Sequence, residues 1–214
     1  MELTLKLPFG SKRGDGAPIL GNDAQLLADG LHGKYYHAAI NNRLYNFTSA
    51  TGGIALIVAA TTGGHPTLFN PKGSGRVLSI RRLNVGYVSG NNAPGSLAWN
   101  IVENAGADIG PAGAAILTAT RVAGTNAAAG GPYDSKAYWS PTTNTFTAAP
   151  VFWRPISLSL FTGVAATAVA PFPLFEDYAG DLLILPGAAV CLVTVQATTT
   201  SLLRIGLVVE EVDE

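Results

Sequence analysis

From residue 203 to residue 210 apolar and polar positions alternate, Leu203, Ile205, Leu207 and Val209 on one parity and Arg204, Gly206, Val208 and Glu210 on the other. A period of two marks a strand with one face on a core. The same pattern recurs upstream. Residues 156–160 alternate cleanly, and residues 76–88 carry Val77, Leu78, Ile80, Leu83, Val85, Tyr87 and Val88, a β-branched and aromatic set that reads as a long central strand. Its parity slips at Arg81-Arg82, which predicts a bulge there. Further strands are expected over 67–69, 97–104, 116–122, 172–178, 182–185 and 190–196. Residues 54–60, apolar without interruption, read as a strand buried on both faces. Two hairpins are expected, one joining 35–40 to 43–48 across Asn41-Asn42, the other closed by 198–201 ahead of the strand that starts at Leu202.

Turn chemistry separates these runs. Asn70-Pro71-Lys72-Gly73-Ser74-Gly75 is a hard turn: Pro71 presets one φ, and Gly73 and Gly75 can occupy φ > 0. Its spacing fits neither a phosphate-binding loop, which opens a helix, nor a Gly-x-Ser-x-Gly nucleophile elbow. Pro186-Gly187 is a second such turn. The helix signal is confined to 22–31, with Asn22 or Asp23 as cap. Residues 123–141 form a long Ala-, Gly- and Asn-rich loop whose aromatics Tyr133, Tyr138 and Trp139 predict that it docks on something. The sum is an all-β, jelly-roll-like sandwich of about ten strands over 35–214, preceded by an extended arm over 1–34 with at most one short helix. In the arm Leu3, Leu5 and Leu7 alternate with polar residues, so this segment either adds as a strand to a neighbouring sheet edge or pairs within its own sheet.

Composition changes the picture in one respect. Only 13% of the 214 residues are charged while 48% are hydrophobic, about half the usual share of charge. Such a surface suits a chain covered by partners, with itself as the first candidate. Net charge of −1 and the absence of basic blocks beyond Lys12-Arg13 and Arg81-Arg82 give no case for nucleic acid. No apolar run reaches membrane-spanning length, and no secretory leader is expected. A single cysteine, Cys191, leaves no internal disulfide.

The chemical inventory is thin. His32, His37 and His65 lack metal-ligand spacing and read as structural. Glu176, Asp177 and Asp181 surround Tyr178, and a carboxylate pair there would suit glycoside hydrolysis; a solvated loop between strands is the plainer expectation. The acidic end, Glu210, Glu211, Asp213 and Glu214, is expected to be frayed and solvated. Cys191 reads as a small buried hydrophobe. No cofactor, metal or enzymatic activity is expected.

The set Thr67-Leu68-Phe69-Asn70-Pro71-Lys72-Gly73-Ser74-Gly75, then Gly86-Tyr87-Val88-Ser89-Gly90 and Ala93-Pro94-Gly95, resembles structural proteins of tailed bacteriophages. Leu31-His32-Gly33-Lys34-Tyr35-Tyr36 and the late Leu185-Pro186-Gly187 turn are similar too, so the likeness covers roughly 31–214. It implies a virion component of jelly-roll type, commonly a homotrimer that sits on the major capsid protein as a cement or decoration protein, made in the host cytoplasm and located on the capsid surface. A tail-fibre or receptor-binding head that recognises a host glycan or protein is the alternative.

Overall fold

The computed structural model describes residues 34–56, 65–90, 95–102, 122–132, 135–140, 150–160, 174–195 and 202–214. By contact density the chain divides into residues 1–36 and His37–Glu214. The expected helix over 22–31, Leu3, Leu5, Leu7, His32, Tyr133 and most of the expected strand over 116–122 lie outside the described residues.

The body is an all-β sandwich of two antiparallel sheets. One sheet runs β10 (Leu174–Ile184), β4 (Arg76–Ser89), β12 (Leu202–Asp213), β1 (Leu44–Thr48) and β7 (Thr125–Asn126), with β2 (Ile54–Ala55) also on β12. The other runs β6 (Val122–Ala123), β8 (Tyr138–Ser140), β3 (Thr67–Phe69), β11 (Ala189–Thr194), β5 (Gly95–Val102) and β9 (Val151–Leu160). Inward residues of both sheets meet in one core, where Phe47, Leu78, Ile80, Leu83, Ile205 and Val209 face Leu68, Trp99, Trp139 and Leu192. The parity expected of β12 holds: Leu203, Ile205, Leu207 and Val209 are buried, whereas Arg204 is exposed.

The parity slip in β4 is a bulge at Arg81. On one side Val208 pairs with Arg82 and Val209 with Ile80, leaving Arg81 extra. On the other, Asp177 pairs with Arg82 and Leu182 with Ile80, so Tyr178, Ala179, Gly180 and Asp181 arch out opposite the same residue. One unpaired residue resets the pleat, which is why Leu78 and Ile80 before it and Leu83 and Val85 after it all reach the core. The expected loop at 178–181 is therefore a bulge within one strand. Ala179 takes φ 48 and Gly180 φ 98 there, and the Asp177 carboxylate accepts the Ala179 N–H at 3.0 Å.

Several expectations are corrected. Residues 35–40 do not form a strand; Tyr36–Ile40 is a short helix, α1. The Ala39 N–H side of this segment continues into a helical end closed by Asn42 at φ 56, with Arg43 N–H donating to Ala38 C=O at 2.9 Å and Asn42 N–H to Ala39 C=O at 3.1 Å. This is the Schellman arrangement, with Asn in the left-handed position where Gly is more usual. Within the described part of 54–60 burial alternates, since Ala55 is exposed between buried Ile54 and Leu56. The strands over 190–196 and 202–209 form no hairpin, because β11 and β12 belong to different sheets. The long loop over 123–141 contains β6, β7 and β8, and β9 begins five residues before its alternating half. Pro155 ends the first half without harm because β9 is the outermost described strand of its sheet.

β11 is apolar on both faces, as expected, and buried throughout. Val190 and Leu192 join the main core, and Cys191 and Val193 pack with Ala98 on the opposite face. Burial pushes the Cys191 thiol from its ordinary 9.0 up to about 12. Between those values the unfolded chain has lost a proton that the folded chain keeps, so this contribution is intact below about pH 9 and stability declines above it, by about 1.4 kcal/mol per pH unit. Tyr178, raised by burial, adds to the decline above its own ordinary 10.0. Denaturant melts at pH 8 and pH 10 are expected to differ by about 1.4 kcal/mol, and Cys191→Ala is expected to flatten most of that difference whatever its cost at pH 8. An unchanged slope would show that the thiol is not the titrating group.

Candidate functional site

Three places gather polar or exposed side chains. The first is the turn singled out in the sequence. Ser74 N–H donates to Pro71 C=O at 3.1 Å, so Pro71 opens the turn and its two corners are Lys72 and Gly73, the latter at φ +77. Gly75 takes φ +64. The sequence does not reveal what Asn70 does. It is fully buried, and its Nδ2 donates to Arg76 C=O at 2.7 Å and to Ile184 C=O at 2.9 Å. Its Oδ1 accepts the Ser74 hydroxyl at 2.7 Å. On the backbone, Asn70 N–H donates to Ala188 C=O at 3.0 Å and Gly187 N–H to Asn70 C=O at 2.8 Å. Asn70 thus ties the β3–β4 turn to the Pro186-Gly187 turn between β10 and β11, and each turn passes from one sheet to the other. The Ser74 hydroxyl is engaged within the turn, with Asn70 Oδ1 and with Arg76 C=O.

The second place is the acidic end, where Asp213 and Glu214 are exposed as expected but Glu210 and Glu211 are not. Glu210 and Glu211 are both buried on β12. Glu210 lies between two guanidiniums: Arg81, carried on the bulge, donates from Nε at 2.8 Å and from Nη2 at 2.5 Å to Oε2, and Arg43 Nη2 stands 3.4 Å from Oε1. Glu211 points the other way along the pleat. Its Oε1 accepts the Ser135 hydroxyl at 2.7 Å and the N–H groups of Lys136 and Ala137 at 2.9 and 3.0 Å. That carboxylate pins the segment leading into β8 onto the other sheet. Asp213 pairs with Arg76, and Glu214 N–H reaches Gly75 C=O.

The third place is the side of the sandwich where β9 and β10, the outermost described strands of their sheets, come together. Arg154 of β9 donates to Asp181 of the β10 bulge at 2.7 Å, and this bond, ahead of other causes, raises the Arg154 pKa. Behind it Trp99 Nε1–H donates to Tyr178 Oη at 2.8 Å, and the Tyr178 hydroxyl donates to Glu176 Oε2 at 3.0 Å. The two rings meet edge to face, and the Arg154 guanidinium lies over the Tyr178 ring. Glu176 and Asp181 are therefore occupied by Tyr178 and Arg154, an arrangement that joins two sheet edges. On these two strands Val151, Phe152, Phe175 and Leu183, and directly after β10 Leu185, are each at least half exposed.

The remaining residues of interest are placed as follows. Tyr138 and Trp139 were expected to mark a docked loop; Trp139 is fully buried in the core and Tyr138 packs on Phe69 and Ala189, so what they dock on is their own subunit. His65 is buried ahead of Pro66, and His37 is exposed. Among the described residues no group of three His, Cys, Asp or Glu is placed to hold a metal, and no helix is long and apolar enough to cross a membrane. Comparison with protein-family models, curated proteins and solved structures returned no match.

Proposed function

We propose that the protein is a structural subunit of a phage virion, a cement or decoration protein that works as a homotrimer on the capsid. One observation carries the proposal: the edge strands β9 and β10, with Leu185 directly after β10, bear five large apolar residues that are at least half exposed in a chain with only 13% charged residues. Exposed apolar patches beside unpaired strands are normally covered by a partner, and a second copy is the partner always present at matching concentration. The resemblance of its turn motifs to those of virion proteins is what supports the location on a capsid and the trimeric state. A purely structural role also agrees with the polar clusters, whose Glu, Tyr and Arg groups are engaged with one another.

The location is tested by cryo-electron microscopy of an intact particle that carries the chain. Trimeric density on the outer surface of the shell, in contact with the major capsid protein, is the expected result. Density confined to the tail tip would replace this function with a receptor-binding one.

A further inference from the structure

At one end of the sandwich, where the close of α1, the start of β4, the end of β12 and the segment before β8 converge, there is a cavity of about 330 Å³. It is polar. Arg43, Arg76 and Lys136 line it with Glu211 and Asp213, giving one more positive than negative charge, and Asn41 and Asn42 complete the rim. We propose that this cavity binds a small hydroxylated oxyanion, a sugar acid or sugar phosphate, with Lys136 as the principal anion contact.

The proposal rests on which hydrogen-bonding groups are already engaged. Glu211 Oε1 has three donors, from Ser135, Lys136 N–H and Ala137 N–H, and its Oε2 accepts Lys136 N–H at 3.1 Å. The Asn42 amide oxygen accepts Asn126 Nδ2 at 2.9 Å. Asp213 has one oxygen held by Arg76. Donors are in surplus. The Lys136 residue is exposed and its ammonium makes no hydrogen bond or ion pair among the described residues, although the backbone of the same residue is fixed on Glu211. Arg43 touches Glu210 through Nη2 alone, while its Nε is buried without a partner. A ligand that matches a surplus of cationic donors must supply acceptors, and an oxyanion does so with charge. The other Asp213 oxygen and the Asn41 amide then suit hydroxyl groups, and the volume falls at the lower end of small-molecule sites. The site lies within a single chain and uses none of the exposed apolar residues of β9 and β10, so it does not depend on the assembly role.

Isothermal titration calorimetry of the full chain with glucuronate, glucose 6-phosphate, glucose and inorganic phosphate tests the proposal. At least one of the two sugar anions is expected to bind more tightly than inorganic phosphate, glucose is expected not to bind, and whichever anion binds more tightly identifies carboxylate or phosphate as the group recognised. Lys136→Ala, which removes an exposed side chain and keeps the backbone bonds to Glu211, is expected to weaken that binding by about tenfold, the effect of one charge-assisted hydrogen bond. The proposal is overturned if neither sugar anion binds at millimolar concentration, if glucose or inorganic phosphate binds equally well, or if Lys136→Ala binds like the native chain.

Discussion

Replacing Asn70 with Ala is expected to lower the unfolding free energy by about 3 kcal/mol, a large share of the stability of a domain this size. The side chain donates to the carbonyls of Arg76 and Ile184 and accepts from Ser74, all at 2.9 Å or less. Truncation leaves these groups without that partner in a position closed to water, and a buried polar group left unpaired costs more than the net value of the bond it lost. Asn70→Asp distinguishes hydrogen bonding from packing. Asp has nearly the same shape and still accepts from Ser74, but it cannot donate and sets a carboxylate against two carbonyl oxygens. It is therefore expected to be at least as destabilising as Ala, and Ser74→Ala to cost only about 1 kcal/mol. Chemical denaturation of the three variants checks this. An Asn70→Asp protein as stable as the native one would mean that the turn is held by its backbone alone.

The second large effect is expected at the β9–β10 side. Phe175 and Leu183 project from the outer face of β10, where they pair across the ladder with Asn84 and Ser79. Changing both to Glu is expected to leave the chain monomeric where the native chain forms the proposed trimer, because each apolar side chain buried in an interface contributes about 1.5–3 kcal/mol and a desolvated carboxylate opposes association. Folding is expected to survive. Both positions are at least half exposed, and the Arg82 guanidinium, 4.5 Å from the centre of the Phe175 ring, offers a partner to a carboxylate at 175. Sedimentation velocity measures the association, and the far-ultraviolet dichroism of the variant checks the fold. A double variant that stays trimeric moves the interface elsewhere.

What the sequence made legible was local. The turns at 70–75 and 186–187 were readable because Pro and Gly act on their own φ angles, and the bulge at Arg81 because a period of two cannot slip without an extra residue. The parity of β12 followed in the same way. Other features depend on partners far along the chain. Glu210 and Glu211 sit close to the chain's acidic end, and only Arg81 and Ser135, 129 and 76 residues away, turn them into buried anchors. Tyr35, Tyr36 and Ile40 favour strands by type, yet the Ala38-Ala39 pair and an Asn able to take the left-handed position close a helical turn instead. The first half of β9 was concealed by Pro150 and Pro155, which are tolerated because the strand is outermost. Trp139 looked like a docking residue because its loop is long, and the core it enters is built from strands distant in sequence.

Self-association is tested most directly by multi-angle light scattering of the full chain at micromolar concentration. A species of three times the 22.0 kDa chain mass is predicted. A single species of 22.0 kDa would contradict it.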